Sequence, residues 1–188
     1  MQIGVLALQG AFREHQQILE ACGVETVQIR KATQLEGISA LIIPGGESTT
    51  IGKLLKDFNL FEPIAHMARE GLPVFGTCAG MILLAKVING SKQPSLGLMD
   101  ICVDRNAFGR QVDSFEEDLD IPVLGAEPYR AVFIRAPYVT NVGPEAQVLA
   151  KCGEKIVLVR QGRFLAAAFH PELTGDTRLH RYFIENCL

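Results

Sequence analysis

Cys78 stands in the run Val74-Phe75-Gly76-Thr77-Cys78-Ala79-Gly80-Met81, with a glycine two residues to either side. An apolar, strand-like stretch precedes it and a helix-like stretch follows. At such a strand-to-helix turn the sharp backbone reversal thrusts the side chain outward, and small neighbours let a substrate approach the main chain. The start of a helix also favours thiolate over thiol. A thiol mounted this way is placed as a nucleophile, and it needs a base. Of the four histidines, His15, His66 and His180 fall in helical patterns among charged residues, where a solvated face is expected. His170 instead ends the strand-like run Phe164-Leu165-Ala166-Ala167-Ala168-Phe169 and is followed by Pro171 and Glu172. The proline biases His170 towards extended backbone and fixes its own φ, so positions 170 and 172 project to roughly the same side. A carboxylate there would hold the imidazole tautomer and stabilise the imidazolium formed when the thiol is deprotonated.

Two further segments carry polar chemistry. Pro44-Gly45-Gly46-Glu47-Ser48-Thr49-Thr50 follows a buried-looking strand and precedes a helix, so its main-chain amides suit an anion or a developing oxyanion. It is not a nucleotide P-loop, which would require glycine at position 47 and a hydroxyl at 54, where this chain has Glu47 and Leu54. No Gly-x-Gly-x-x-Gly follows the first strand, so the dinucleotide fingerprint is missing as well. The stretch Asp104-Arg105-Asn106-Ala107-Phe108-Gly109-Arg110-Gln111 puts two arginines in a loop region, and arginine grips carboxylates bidentately.

The elements that must position these groups read as an α/β pattern. Ile3 to Leu8 is an apolar run of strand length, Phe12 to Cys22 has helical spacing, and Val24 to Ile29 and Ala40 to Ile43 are further strands. Leu54 to Gly71 holds one or two helices, and Pro73 to Thr77 is a fourth strand. Short apolar strands joined by helices form a mostly parallel sheet covered on both faces, with sites at the strands' carboxyl ends. Three loops fall there: Gln9-Gly10, Pro44 to Ser48, and Thr77 to Gly80. Beyond Ile88, strands are expected at Leu98 to Val103, Ala131 to Ile134, Gln147 to Ala150, Ile156 to Arg160 and Phe164 to Phe169, in part antiparallel. Asn106 to Asp120 reads as a long loop over the site, and Asp176 to Cys187 as a closing helix.

Composition bounds the classes. The chain has 188 residues, 48% hydrophobic and 21% charged, with a net charge of −3, which describes one ordinary globular domain over 1–188. Basic residues are scattered without an aromatic stripe, so no nucleic-acid partner is expected. The amino terminus has neither a basic n-region nor an apolar run long enough for a leader or membrane span, so a cytoplasmic protein is expected. Five separated cysteines with no Cys-x-x-Cys pair argue for reduced thiols and against a zinc site. From the residues alone, a cysteine hydrolase acting on another acyl substrate and a silent binding module with a structural Cys78 both stay open.

Taken in order, Pro-Gly-Gly-Glu-Ser at 44–48, Gly-Thr-Cys-Ala-Gly at 76–80 and His-Pro-Glu at 170–172 resemble the class I (triad) glutamine amidotransferases. Leu8-Gln9-Gly10, Gly45 to Thr50 and Arg105 to Gln111 with Ser114-Phe115-Glu116 look like the glutaminase subunits of pyridoxal 5′-phosphate synthase within that superfamily. The resemblance implies a three-layer, flavodoxin-like fold. It implies that Cys78 is the nucleophile, His170 the base and then acid, and Glu172 its orienting partner. It further assigns the oxyanion hole to Gly46 and Ala79, and glutamine contacts to Gly46, Glu47, Ser48, Arg105, Ile134 and Arg135. Arg105 suits the substrate carboxylate and Glu47 its ammonium. No cofactor or metal is implied in this chain. The implied partner is a separate synthase subunit, a lyase, which receives ammonia through a tunnel in a large hetero-oligomer. Docking of that subunit would turn a peptide near Gly45-Gly46 and complete the oxyanion hole, through faces around Gln9-Gly10 and from Arg105 to Glu116.

Overall fold

Fully apolar runs of four or five residues cannot be solvated on either face, and here they become the centre of a ten-stranded sheet. The structure is a computed structural model and describes residues 1–105 and 114–188. The first half alternates as expected: β1 (Gln2–Leu6), α1 (Phe12–Ala21), β2 (Glu25–Ile29), β3 (Ala40–Ile43), α2 (Ser48–Asp57), α3 (Phe61–Arg69), β4 (Val74–Thr77) and the short α4 (Ala79–Leu84). The second half is strand-rich: β5 (Ala85–Ile88), β6 (Met99–Asp104), β7 (Ser114–Leu119), β8 (Tyr129–Ile134), β9 (Tyr138–Val142), β10 (Gln147–Cys152), β11 (Lys155–Gln161) and β12 (Phe164–Ala167), closed by α5 (Arg178–Cys187).

The order across the main sheet is β2-β1-β3-β4-β12-β11-β9-β6-β5, with β10 on β11, while β7 and β8 form a separate two-stranded ribbon. From β2 to β12 every pairing is parallel, and β12–β11, β11–β9 and β9–β6 are antiparallel. The chain moves one way along the sheet from β1 to β2 and the other way from β3 to β4. Right-handed crossovers therefore put α1 on one face and α2–α3 on the other. The reversal between β1 and β3 opens a crevice at their carboxyl ends, the usual place for a ligand in such sheets. The core is continuous through both halves, with Phe75, Phe133, Phe169 and Phe183 fully buried. Among the described residues, no helix is long and apolar enough to cross a membrane.

Two expectations change. The helix expected from Leu54 begins at Ser48, six positions earlier, because Glu47 caps it. Residues 114–119, expected to belong to a loop, form β7 and pair with β8 from Ser114↔Ile134 to Leu119↔Tyr129. This strand is acidic and mostly exposed, so it lacked the apolar run that marks a buried strand. The segment 106–113, including most of the motif that starts at Arg105, lies outside the described residues.

Candidate active site

β4 and β12 are adjacent and parallel, with Phe75 opposite Leu165 and Gly76 opposite Ala166. One more ladder bond, from the Cys78 N–H to the Ala167 carbonyl at 2.8 Å, carries the pairing to the turn. Cys78 and His170 thus leave neighbouring strands at the same end. Cys78 takes φ 49° and ψ −102°, a conformation that costs a non-glycine residue about 1–3 kcal/mol and turns its side chain out of the strand. Gly80 makes that turn possible, since a Cβ there would lie 2.1 Å from the Ile43 carbonyl oxygen on β3. The Cys78 Sγ faces the Ile134 carbonyl at 3.9 Å.

The His170 N–H is tied to the Val132 carbonyl on β8 at 2.8 Å, and Pro171 opens a short 3₁₀ turn that brings Glu172 back beneath the ring. His170 Nδ1 bonds Glu172 Oε1 at 2.7 Å, so Nε2 is left for the cavity side. Burial disfavours the imidazolium, but hydrogen bonds with Cys78 and Glu172 and the charges of both outweigh it and raise the His170 pKa to about 10. Burial likewise opposes ionisation of Glu172, yet the rings of His15 and His170 hold its carboxyl below the ordinary range.

Cys78, His170, Gly46, Glu47, Ser48, Arg105, Ile134 and Arg135 line one cavity of about 280 Å³. That volume is at the lower end for small-molecule sites, roughly 300 Å³ upward, and suits an amino acid. Glu172 lies behind His170, and Ala79 is the first residue of α4, directly after Cys78. Gly45 packs against the imidazole so closely that a Cβ would sit 2.3 Å from His170 Cε1. The loop after β3 is tied to the loop after β1, with the Gly45 carbonyl accepting the Ala11 N–H at 3.2 Å and the Glu47 N–H bonding Gln9 Oε1 at 2.8 Å. Glu47 also accepts the Thr49 and Thr50 amides at 3.2 and 2.7 Å, which makes it the N-cap of α2. Although partial burial opposes this, bonds from Thr49 and Thr50 lower its pKa to about 2. Arg105 Nη2 is 3.4 Å from Glu47 Oε1, a pairing across the cavity mouth. Arg135, at φ 42°, is a second strained residue in the wall.

Gln9 and Ile82 also line the cavity, although no substrate contact was expected of them. The expectation for the helical histidines holds for His66, which is exposed, and fails for His15 and His180, which are fully buried. Their positions on the apolar stripes signalled this: His15 lies three residues after Phe12 and three before Ile18, and His180 three before Phe183.

The model of the SNO glutamine amidotransferase family matches residues 5–188. The chain belongs to that family. Its relatives include a protein of Pelotomaculum thermopropionicum named pyridoxal 5′-phosphate synthase subunit PdxT, 73% identical over all of this chain and 96% of the relative. A PdxT subunit of Moorella thermoacetica is 69% identical over 98% of each chain. Among solved structures, a glutamine amidotransferase superposes with a TM-score of 0.93 at 54% identity, covering 98% of each chain. The three-layer glutamine amidotransferase fold expected from the motifs is therefore the fold of this family member.

Proposed function

We propose that this chain is the glutaminase subunit of a pyridoxal 5′-phosphate synthase, hydrolysing L-glutamine to L-glutamate and ammonia through Cys78, His170 and Glu172. The observation that carries the reading is the pair of strand ends that put Cys78 on a strained turn beside an imidazole whose Nδ1 is held by Glu172 at 2.7 Å. The naming of relatives as PdxT over the full chain supports the choice of pathway.

In the first half-reaction the Cys78 thiolate attacks the side-chain amide carbon of glutamine. His170, protonated at Nε2, passes that proton to the amide nitrogen as the C–N bond breaks, so ammonia leaves and a glutamyl thioester remains. Water then attacks the thioester, His170 takes its proton, and the thiolate departs as glutamate is released. Glu172 stays ionised throughout and stabilises the imidazolium. The N–H groups of Gly46 and Ala79 receive the oxyanion, an interaction that contributes a few kcal/mol, about 3, to lowering the barrier. Arg105 binds the substrate α-carboxylate and Glu47 its ammonium, each leaving the other as glutamine enters. Gly46, Ser48, Ile134 and Arg135 complete the pocket.

Ammonia passes to a separate synthase subunit within a large cytoplasmic hetero-oligomer, and residues 1–188 act as one glutaminase domain. The contacts that tie Gly45 to Ala11 and Glu47 to Gln9 make the loop after β1 the natural lever for turning the Gly45–Gly46 peptide when that subunit docks. Glutamate release should be measured with the chain alone and with a pyridoxal 5′-phosphate synthase subunit. Release that rises with the synthase and vanishes in Cys78→Ala is expected; none from a demonstrated complex would overturn the reading.

A further inference from the structure

Glu172 has no solvent-exposed side-chain surface. Its Oε1 accepts from His170, whereas Oε2 is buried with no aligned hydrogen-bond donor. The polar atom facing that oxygen is His15 Nε2 at 3.3 Å, which also lies 3.0 Å from the Thr77 hydroxyl on β4. On its other side, His15 Nδ1 is 3.0 Å from His180 Nε2, and His180 Nδ1 is buried without a partner. A buried N–H without an acceptor is rarer and more costly than an unused lone pair. The hydrogen-bond network therefore assigns the His180 proton to Nε2, from which it donates to His15 Nδ1. The His15 proton then sits on Nε2, between Thr77 Oγ1 and Glu172 Oε2.

We infer that His15 is a positioning residue of the triad: its Nε2–H supports the far oxygen of Glu172, and His180 fixes the tautomer that makes it a donor. The inference rests on the proposed roles of Cys78, His170 and Glu172. The chain of contacts runs from α5 through α1 to the turn after β12, so the amino-terminal helix bridges two elements from the far end of the chain. Burial lowers the pKa of both histidines, with the charge of Glu172 acting the other way on His15, so each ring is neutral and carries one N–H. The other ionisable groups around the chain are Glu14 beside His15, Tyr129 from β8 beside Glu172, and Cys78 at the far side of His170. Phe75 packs edge-on against both rings, at 6.4 Å from His15 and 5.7 Å from His180, which keeps water from replacing them.

Without the His15 donor, Glu172 is a poorer anion and holds the imidazolium less well. The test follows the His170 ring by NMR titration of the free chain, assigned by its loss in His170→Asn, alongside glutamate release in the complex with the synthase subunit. His15→Leu should lower the His170 pKa by about one unit or more and kcat by about tenfold, with KM within about twofold. His15→Gln, whose amide nitrogen reaches the place of Nε2, should restore most of both. A folded His15→Leu with unchanged His170 titration and kcat overturns the inference, as does a Gln variant as impaired as the Leu variant. Should His15→Leu not fold, His180→Phe reads the same chain: a smaller downward shift of His170 supports it and an unmoved His170 overturns it. Because the titration needs no turnover, a wild-type complex that releases no glutamate while the titration shifts as expected refutes the glutaminase reading and leaves standing only the support that His15 gives Glu172.

Discussion

The parallel and antiparallel sides of the molecule reach the cavity by different means. On the parallel side, β3, β4 and β12 present Gly46, Cys78 and His170 through turns whose backbone geometry is dictated by glycine, proline and strand pairing. On the other side, Arg105 follows β6, Ile134 ends β8 and Arg135 comes directly after it, so they meet the site only because the strand-rich half folds over it. On the proposed roles, the reacting groups are thus mounted where local sequence sets the geometry, and Arg105, Ile134 and Arg135 where long-range packing does.

Substitutions can break that division, and the largest effect belongs to the parallel side. Glu172→Gln should leave the cavity intact yet reduce kcat by about 10³-fold or more, because a neutral amide cannot hold the imidazolium; steady-state kinetics of the complex at saturating glutamine would check it. Gly80→Ala should cost about 3 kcal/mol in urea unfolding, since the new methyl meets backbone on β3 rather than a movable side chain. An effect below about 1 kcal/mol would mean that the turn is more pliable than its geometry implies. Arg105→Ala, on the recognition side, should raise KM about 10- to 100-fold, the worth of a hydrogen bond to a charged group, with kcat nearly unchanged. A fall in kcat as large as that of Glu172→Gln would erase the distinction between the two sides.

The smallest effect lies where the sides meet. Glu47→Ala removes the cap of α2 and should cost about 1 kcal/mol at neutral pH. The sign of its pH dependence follows from a folded-state pKa near 2 against an ordinary 4.5. The carboxylate's stabilisation is complete above pH 4.5 and disappears as pH falls through about 2, so wild type and Glu47→Ala should converge in acid. Urea midpoints measured down to pH 2 would show that convergence, and parallel curves would assign the low pKa no role in folding.

Much of the first half of the fold was legible because β1, β3 and β4 are apolar runs and glycines follow α1 and α3. β7 and β9 were not, since Ser114–Leu119 and Tyr138–Val142 mix polar and apolar residues and owe their form to their partners. In the site, Gly-Thr-Cys-Ala-Gly and His-Pro-Glu were singled out by their spacing, whereas the roles proposed for them came from the family resemblance. Glu47 was read as a substrate contact, and its capping of α2 was hidden because a carboxylate before Ser-Thr-Thr suits either role. His15 and His180 were judged by their charged neighbours along the chain, whereas their place on an apolar stripe was the better guide.

The sequence by itself determined the turns: a cysteine between glycines must stand proud of its strand, and a carboxylate two residues beyond a histidine, with proline between, can return to the imidazole. These turns are favoured by φ, ψ and sterics over a few residues, while the packed neighbours on β3 and β8 hold them in place. Only the tertiary structure decided that β12 inserts beside β4, which brings residues 78 and 170 to neighbouring strand ends. It also decided that α1 and α5 meet behind Glu172, burying two imidazoles whose hydrogen bonds must then be met from within. Backbone pairing between distant strands and the desolvation of polar groups depend on the whole packed chain, so neither can be read from any short stretch of it.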